Sequence, residues 1–498
     1  MNILDIIDNI KIKTIYGNLP ESVNNISQDS RKVGEGDVFV AIKGYTVDGH
    51  NYIEKVIEQG AALVIASRYD NYNVENCAVI VIKEHEIEKI ASMIAKKINE
   101  GSDVHTVAVT GTNGKTSIST LVHNMLRTLG ESSAYIGTNG FGKNDAEPVY
   151  FGNTTPDVVT LHNQIGELRR DNIKNLAFEA SSHAMALGRI YNVDIDVAIF
   201  TNLTHEHLDF HGDMQTYAYD KSLLFSTLGN NLSDAKYGVL NKDDSYYKVI
   251  SKCLYQQEIN YSIVDETADF YAYNIKQYKE DKAYKTSFTL KSPEGTFECI
   301  TNYIGDFMVS NVLAALIAVW LKGYSVEQLV GILPKLGALY GRMEILGDEL
   351  PIDIISDFAH TPDGYEKLLE ATREIRKGKR TLLVTGMGGG RDISKGPLIG
   401  EIISEADYVV ITTDSPRDED VEVLMGSIEK GMTHKNYEKV WFRTDAVKRI
   451  IELSEPGDVV ILASKGREDY EILQGGKKVW HSDPIVAVEE AKKKFNIK

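Results

Sequence analysis

The chain has 498 residues, of which 43% are hydrophobic, and its formal net charge at pH 7 is -18. This length exceeds what one hydrophobic core usually serves, so we expect roughly two to four domains. The acidic balance argues against nucleic acid as a partner, because nucleic-acid binding needs a basic surface. Cys77, Cys253 and Cys299 show no C-x-x-C spacing, which indicates neither a disulfide framework nor a zinc site and fits a reducing cytoplasm.

The N-terminal segment MNILDIIDNIKIKTI carries Asp5, Asp8 and Lys11 within its apolar pattern, which predicts an amphipathic helix and excludes a signal peptide. Short apolar runs at 37–42 and 62–67, separated by helical patterns, predict a small α/β domain over residues 1–100. The longest apolar run, 312–321, is about half of the length needed to span a bilayer, so we expect no membrane segment.

A larger α/β domain is predicted over residues 101–335. Its strand patterns TVAVT, NLAFEA and VAIFTN alternate with helical stretches, which favours a mostly parallel, ATPase-like sheet covered by helices. The polar, tyrosine-rich segment 235–300 is predicted to be a peripheral insertion.

Residues 336–498 are predicted to form a third, Rossmann-like domain. Four buried strand patterns there end in polar residues, within PIDIISDFAH, RTLLVTGMGGG, DYVVITTDSPR and DVVILASKG. Open α/β sheets bind ligands at the carboxyl ends of their strands, so this domain is predicted to bind a small molecule.

The stretch TVAVTGTNGKTS (106–117) predicts a strand, a glycine loop and a helix. It departs from the usual G-x-x-x-x-G-K-[ST] spacing, whose first glycine would fall at Val109. Backbone N–H groups at such a helix N-terminus can bind phosphate, a lysine adds charge and a threonine hydroxyl can face magnesium. The alternative is an ordinary strand–turn–helix corner. The predicted ATP-binding residues of the loop are Gly111, Thr112, Asn113, Gly114, Lys115, Thr116 and Ser117.

A second group of polar residues follows the loop. Glu179 ends a strand in FEASSH, and the stretch 204–221 contains His205, Glu206, His207, Asp209, His211 and Lys221. Taken alone, H-x-H-x-D is typical of a transition-metal site or of a solvated loop. The phosphate loop upstream favours a role beside a nucleotide.

With these residues the chain resembles the Mur ligase family of ATP-dependent amide-forming enzymes over nearly its whole length. The resemblance implies that ATP phosphorylates a carboxylate and that the amine of an amino acid then displaces phosphate. It implies catalytic roles for Lys115, Glu179, His207 and Lys221. It also implies that Lys221 is carbamylated and that magnesium is held by Thr116, Glu179, His207 and Lys221.

Further ATP contacts implied by the resemblance are Asn311, Arg342 and Asp357. Arg342 and Asp357 belong to the third domain, so the site would close only when that domain swings onto the central one.

The stretch 28–53 and the motif GNTTPD (152–157) resemble the branch of the family that adds the third amino acid to a uridine-linked muramyl dipeptide. The muramyl contacts this implies are Ser30, Asn153, Thr154, Thr155, Ser182 and Arg189. The alternatives are a turn before Pro156 for the two threonines and a helix cap for Ser182. The implied contacts of the incoming amino acid are Arg391, Asp414, Ser415, Pro416, Arg417, Ser464, Lys465 and Glu468.

Arg417 favours meso-diaminopimelate as the incoming amino acid, because a guanidinium can grip a second carboxylate and L-lysine has none. Ser415 and the motif SKGRE depart from the DNPR and GKGHE patterns of that branch. The predicted protein is a monomeric, ATP- and magnesium-dependent ligase acting on UDP-N-acetylmuramoyl-L-alanyl-D-glutamate. The alternatives are L-lysine or another amino acid, a related ligase of another pathway such as folylpolyglutamate synthesis, and a nucleotide sensor without turnover.

Overall fold

A computed structural model describes residues 2–44, 47–280, 283–390 and 392–497, apart from the side chains of Glu374 and Arg376. Three sheets follow one another along the chain, and each is covered by helices. Within these ranges, no helix combines the length and the apolar character needed to cross a membrane.

The N-terminal sheet has the strand order β1-β5-β4-β3-β2, with β1 antiparallel to β5. Alternation along β4 directs Leu63 and Ile65 to one apolar cluster and Val64 and Ala66 to another, so both faces are covered. The predicted amphipathic helix ends at Asn9, because the backbone becomes extended at Ile10 before the first strand. The elements are α1 (Leu4–Asn9), β1 (Thr14–Tyr16), β2 (Ile26–Ser27), β3 (Val38–Val40), a 3-10 turn (Gly49–Tyr52), α2 (Ile53–Glu58), β4 (Leu63–Ala66), β5 (Ala78–Val81), a 3-10 turn (Glu84–Glu86) and α3 (Ile87–Ile98).

The central sheet has the order β15-β14-β13-β12-β11-β10-β6-β9-β7-β8 and is parallel from β7 through β13. Because β6 lies between β9 and β10, the loops after these three strands meet at one edge of the sheet. The strands are β6 (His105–Thr110), β7 (Ser133–Gly137), β8 (Gly140–Lys143), β9 (Asn175–Glu179), β10 (Val197–Phe200), β11 (Tyr237–Asn241), β12 (Gln257–Ser262), β13 (Phe270–Glu280), β14 (Ala283–Ser292) and β15 (Gly295–Thr301).

Two layers of helices cover the central sheet. The largest apolar cluster lies between the sheet and the helices α4 and α10. The helices are α4 (Lys115–Thr128), α5 (Val158–Arg170), α6 (Ser182–Ala186), α7 (Leu208–His211), α8 (Met214–Ser226), α9 (Tyr247–Ser251), α10 (Asp306–Trp320) and α11 (Val326–Ile332), followed by a 3-10 turn (Leu333–Lys335).

The prediction of a peripheral insertion at 235–300 is wrong. Strands β11 to β15 continue the central sheet beyond β10, and Phe270, Phe288 and Leu290 are buried in its main apolar cluster. The polar residues of the hairpin β13–β14 alternate with these apolar ones, because one face of an antiparallel edge can be solvated. Because polar residues separate the buried apolar ones, the sequence of these strands does not show a continuous apolar run.

The third sheet has the order β16-β17-β21-β18-β19-β20 and is parallel except for β16. The four strand patterns of this region correspond to β17, β18, β19 and β21, and the predicted three-part α/β fold class is confirmed. The strands are β16 (Glu344–Leu346), β17 (Asp353–Ser356), β18 (Thr381–Met387), β19 (Tyr408–Thr413), β20 (Tyr437–Lys439), β21 (Val459–Leu462) and the separate hairpin β22 (Tyr470–Ile472) and β23 (Lys478–Trp480). The helices are α12 (Pro362–Arg376), α13 (Gly396–Ile403), α14 (Val421–Glu429), α15 (Arg443–Leu453) and α16 (Asp483–Lys494), with 3-10 turns at Ile393–Lys395 and Gln474–Gly476.

Candidate active site

The loop between β6 and α4 is shaped by two glycines. A Cβ at Gly111 would lie 1.7 Å from the hydroxyl oxygen of Thr201, so no larger residue fits there. Gly114 has φ of 89° and precedes the first residue of α4, where a Cβ would lie 2.8 Å from the side-chain oxygen of Asn311. The glycines of the motif therefore allow the backbone to approach its neighbours closely and to turn into the helix.

The segment after β10 braces this loop from one side. Asn202 accepts hydrogen bonds from the backbone N–H groups of Thr112 and Asn113, at 2.8 and 2.9 Å. The hydroxyl of Thr201 donates to the carbonyl of Asn113 at 2.6 Å. The sequence reasoning missed Thr201 and Asn202, although their position at the end of the predicted strand VAIFTN was a signal.

Lys115 and Lys221 converge on one carbonyl oxygen. Both ammonium nitrogens donate to Gly111, at 2.9 and 2.8 Å. Burial lowers the pKa of Lys115 and holds the pKa of Lys221 well below its ordinary value, and the nearby charge of Lys115 lowers the pKa of Lys221 further. Lys221 also lies 4.6 Å from the ring centroid of Tyr217. This environment favours a neutral amine at residue 221.

Glu179, at the end of β9, is 1% exposed and is held by its neighbours. One carboxylate oxygen accepts from the N–H of Thr138 at 2.8 Å and from the hydroxyl of Tyr135, and the other accepts from the hydroxyl of Thr138 at 3.2 Å. Burial first, and then the Glu179 charge, raises the pKa of Tyr135 well above its ordinary value. Tyr135 is therefore a permanent donor to this carboxylate.

His207 has a left-handed backbone, with φ of 58°, and immediately precedes α7. Its ring lies edge-on to that of His183, with the centroids 4.8 Å apart. A cavity of about 270 Å³ brings several of the candidate residues together, and Lys221, which is outside this lining, reaches the loop through the carbonyl of Gly111. The lining of the cavity includes Lys115, Thr116, Glu179, Glu206, His207, Asn311, Arg342 and Asp357.

The residues around this cavity fit a magnesium–nucleotide complex better than an all-protein metal site. In the described part of the chain, no three His, Cys, Asp or Glu side chains cluster as metal ligands. Magnesium is usually bound by one or two carboxylates, with substrate phosphates and water supplying the other oxygens. The hydroxyl of Thr116 and the carboxylate of Glu179 line the same cavity as the phosphate loop, so they suit that mode of binding.

The third sheet unit reaches the phosphate loop directly. The guanidinium of Arg342 donates to the hydroxyl of Thr116 at 3.0 Å and lies 4.7 Å from the ring centroid of Phe358. The side-chain amide of Asn113 donates to Asp363, at the start of α12, at 2.7 Å. Both contacts cross from the central unit to the third unit.

Asp357 and Asn311 lie on either side of this junction. Asp357 accepts backbone N–H groups of Met343 and Ala359, both at 2.7 Å, and burial raises its pKa. Asn311, on α10, also lines a neighbouring cleft of about 850 Å³ between the central and third units. The structure therefore brings both predicted ATP contacts close to the loop.

Several predicted muramyl contacts brace the 152–157 loop. The hydroxyl of Thr155 is buried and donates to the Glu179 carbonyl at 2.7 Å, and Arg189 donates to the Thr155 carbonyl at 3.0 Å. Thr154 lies at the cavity edge, 3.2 Å from the Thr138 hydroxyl. The Ser182 hydroxyl is 2.9 Å from His211, whose other ring nitrogen is 2.7 Å from Asp220.

A cleft of about 930 Å³ separates the N-terminal unit from the central one. Asn153 lines it from the central side, and Asp29 and Arg31 line it from the other. Ser30, which lies between them in sequence, is buried and is not among the residues that line the cleft. The contact of Ser30 with a uridine nucleotide stays a prediction.

The residues predicted to select the amino acid surround a buried lysine. Lys465 is fully buried, and its ammonium lies 3.1 Å from Asp414 and 3.5 Å from Glu468. Ser415 accepts the N–H of Ile472 at 3.1 Å, and the Arg417 guanidinium donates to the Gly389 carbonyl. Pro416 lies against Gly389, because a Cβ added to Gly389 would lie 2.0 Å from the carbonyl oxygen of Pro416. Arg391 lies outside the described residues.

A buried pair that the sequence reasoning missed supports this region. Arg443 and Asp483 are both fully buried and paired, and a second nitrogen of Arg443 donates to Ser464 at 3.0 Å. Ser464 has φ of 78°, so this hydrogen bond helps to hold an unfavourable backbone. Arg467, from the motif SKGRE, pairs with Glu344 and lies over the ring of Tyr340.

Three family profiles match successive parts of the chain. The Mur ligase catalytic domain matches residues 22–101, the Mur ligase middle domain 109–319 and the glutamate ligase domain 341–466. The chain belongs to the Mur ligase family. Members are ATP-dependent amide-forming ligases, and this chain shares that chemistry and the binding of ATP.

Two curated Mur ligases are similar over nearly their whole length. UDP-N-acetylmuramoyl-L-alanyl-D-glutamate--L-lysine ligase from Staphylococcus haemolyticus (strain JCSC1435) is 42% identical and covers 99% of both chains. The enzyme of the same name from Staphylococcus aureus (strain MW2) is 42% identical over 98% of this chain and 97% of its own. A solved UDP-N-acetylmuramoyl-L-alanyl-D-glutamate--2,6-diaminopimelate ligase is 28% identical, covers 99% of both chains and has a TM-score of 0.68.

Proposed function

We propose that this Mur ligase adds L-lysine to UDP-N-acetylmuramoyl-L-alanyl-D-glutamate, at the γ-carboxyl of the D-glutamate. The observation that carries the proposal is the 42% identity, over 99% of both chains, to a relative named as the L-lysine ligase. The preference for meso-diaminopimelate is not confirmed, and the alternative of L-lysine agrees better with the curated relatives.

The hydrogen bond that Arg417 makes within its own unit uses one of the five N–H donors of its guanidinium, so it does not decide between meso-diaminopimelate and L-lysine. The preference for meso-diaminopimelate rested on a guanidinium that can grip a second carboxylate with two hydrogen bonds. One terminal nitrogen of Arg417 donates to the carbonyl of Gly389 within the same unit. The side chain therefore also supports the loop after β18.

The phosphate loop, Lys115 and Arg342 are proposed to bind and orient the ATP phosphates. The acceptor carboxylate attacks the γ-phosphorus, and the bond from that phosphorus to the β–γ bridging oxygen breaks. ADP is the leaving group, and the acceptor becomes an acyl phosphate. The amine of lysine then attacks the acyl carbon, phosphate leaves and the amine loses a proton. Positioned donors and cations favour both steps, because negative charge develops on the transferred and leaving groups.

Magnesium would be held by Thr116, Glu179, His207 and a carbamate on Lys221, and it would offset charge between the triphosphate and the carboxylate. The buried environment of Lys221 suits carbamate formation, since only a neutral amine adds carbon dioxide and then releases a proton. A carbamate supplies an anionic oxygen where an ammonium cannot be a ligand. The lowered pKa of Lys221 supports this assignment.

Asp414, Lys465 and Glu468 are proposed to bind the incoming amino acid. The cluster offers a cation for its carboxylate and two carboxylates for its ammonium groups. A buried lysine between two acids is also well suited to discriminate between ligands of different charge, because an unmatched charge there is costly.

The proposal is tested by phosphate release with ATP, magnesium and UDP-N-acetylmuramoyl-L-alanyl-D-glutamate, with L-lysine or meso-diaminopimelate added separately. We expect turnover with L-lysine to exceed turnover with meso-diaminopimelate. Turnover restricted to meso-diaminopimelate would reject the substrate assignment and retain the ligase. Bound ATP without any phosphate release would support the nucleotide-sensor alternative.

A further inference from the structure

A buried ion pair joins the third unit to the central one beside the cavity. The ammonium of Lys395 lies 3.1 and 3.3 Å from the two carboxylate oxygens of Glu206. The two side chains are 7% and 8% exposed. Removing two charges from water is costly and is offset only by close, well-oriented pairing, so this contact depends on how the two units meet.

The backbone of Lys395 is held in place by the close packing of α13 on α14. The residue ends the 3-10 turn Ile393–Lys395 and caps α13. A Cβ at Gly396 would lie 2.4 Å from the Ser427 hydroxyl, and one at Gly400 would lie 2.1 Å from the Ile428 carbonyl. These glycines let α13 lie directly on α14, which gives Lys395 a rigid base in the third unit.

Glu206 is tied to the phosphate loop through its own segment. Two residues before it, the N–H of Thr204 donates to the hydroxyl of Thr112 at 3.0 Å, and the Thr204 carbonyl is 3.3 Å from the same hydroxyl. The next residue is His207, and Glu206 itself lines the cavity. A continuous set of contacts therefore runs from the phosphate loop to α13.

Asp392, three residues before Lys395, is also close enough to His205 for an electrostatic interaction between the two segments. The hydrogen bond with Ser394 lowers the pKa of Asp392, burial raises it, and the nearby charge of Lys395 lowers it further. Both segments therefore place charged groups at the same junction.

We propose that Lys395 is a positioning residue of the ligase reaction, which holds the 204–207 segment and neutralises Glu206 when the third unit meets the central one. Without Lys395, an unpaired carboxylate would line the cavity that receives the triphosphate and the acceptor carboxylate, and it would repel both. The inference rests on the proposed reaction, in which both anions enter this cavity.

The test compares Lys395→Met, Lys395→Arg, Glu206→Gln and the double variant Glu206→Gln/Lys395→Met with the wild type. The control is Lys279→Met, which removes another ion pair between the two units, with Asp353 at 3.0 Å, away from the cavity. Wild-type turnover with L-lysine is established first, so a failed substrate assignment shows before any variant is compared.

We expect Lys395→Met to lower kcat by roughly 10- to 100-fold, because small displacements near reacting groups are costly. Lys395→Arg restores most of the rate, since it keeps the charge. The double variant loses no more than Lys395→Met, because removing the carboxylate also removes the repulsion. Lys279→Met stays within about threefold of the wild type.

Amide hydrogen exchange of residues 203–211 gives a readout that does not depend on turnover. We expect faster exchange in Lys395→Met than in Lys279→Met, because only the first change frees the segment. The inference is overturned if Lys395→Met matches Lys279→Met in both measurements. It is also overturned if the fold-loss of kcat in the double variant equals the product of the fold-losses in Lys395→Met and Glu206→Gln. If Lys395→Met does not fold, Glu206→Gln, which also breaks the pair, takes its place in the comparison with Lys279→Met.

Discussion

The guanidinium of Arg342 donates a hydrogen bond to the hydroxyl of Thr116 across 226 residues of sequence. Thr116 is the second residue of α4, the helix that follows the phosphate loop, whereas Arg342 lies in the segment that leads into the third sheet. This one contact places a third-unit cation at the predicted phosphate and magnesium site. The proposed chemistry therefore depends on the third unit being in contact with the central unit.

Replacing Arg342 by alanine is expected to lower kcat/KM for ATP by roughly 100- to 1000-fold, as for other preorganised donors to a developing charge. Arg342→Lys recovers only part of the rate, because a lysine lacks the planar fork of donors. Steady-state phosphate release measures both variants. An Arg342→Ala enzyme with wild-type kcat/KM for ATP would remove Arg342 from the phosphate site.

Sequence alone could predict the parts of this site whose residues are close together in the chain. The glycine loop and the strand ends at Glu179 and Asp414 are local patterns, so their positions follow from the alternation of strands and helices. Arg443 and Lys395 could not be found this way. Their partners, Asp483 and Glu206, are distant in sequence, and only the packing of helices brings the charges together.

The preference for meso-diaminopimelate is not confirmed, and the alternative of L-lysine agrees better with the curated relatives. The motif DSPR shows that a guanidinium is present, but not where it points. In the fold, Arg417 has φ of 54°, and its guanidinium donates to Gly389. The tyrosine-rich segment was misread because a half-solvated edge hairpin hides its buried residues among polar ones.

Lys221→Ala is expected to lower kcat at least 100-fold, since the proposed carbamate would be lost from the magnesium site. A short carboxylic acid such as acetate or formate should restore part of the rate by occupying the space of the carbamate. Phosphate release is measured with and without the acid, and Lys236→Ala, which alters a lysine that lies near Asp234, serves as the control. Full activity of Lys221→Ala without any added acid would show that no carbamate is needed.

Asp414→Asn is expected to raise KM for L-lysine by roughly 10- to 100-fold, the range for losing a charged hydrogen bond. KM for ATP should change little, because Asp414 belongs to the proposed amino-acid site. Asp445→Asn, which alters an exposed carboxylate in the same unit, is the matched control. If Asp414→Asn raised KM for ATP and left KM for lysine unchanged, the cluster around Lys465 would not be the amino-acid site.

The Arg443–Asp483 pair predicts an acid-sensitive contribution to stability. Burial alone would raise the pKa of Asp483, but the charge of Arg443 and hydrogen bonds from His481 and Arg443 outweigh it and lower the pKa. Because the folded state holds fewer protons than the unfolded one, this contribution is full above the ordinary carboxyl pKa and is lost as pH falls through the folded value. We expect Arg443→Met to lower the free energy of unfolding by about 3–5 kcal/mol at pH 7.

Urea unfolding from pH 7 down to pH 3 measures this effect. Asp483→Asn should flatten the fall in unfolding free energy below about pH 4, since the titrating group is gone. Arg373→Met, which breaks an exposed pair with Glu405 in the same unit, is expected to change stability by less than about 1 kcal/mol. An unchanged acid slope in Asp483→Asn would show that other carboxylates dominate.

The central claim, that this Mur ligase adds L-lysine to the uridine-linked dipeptide, is tested most directly by competition. L-lysine and meso-diaminopimelate are supplied together at equal concentration with ATP, magnesium and UDP-N-acetylmuramoyl-L-alanyl-D-glutamate, and the products are identified by mass. We predict that the lysine-containing tripeptide dominates. A product containing mainly diaminopimelate would contradict the claim.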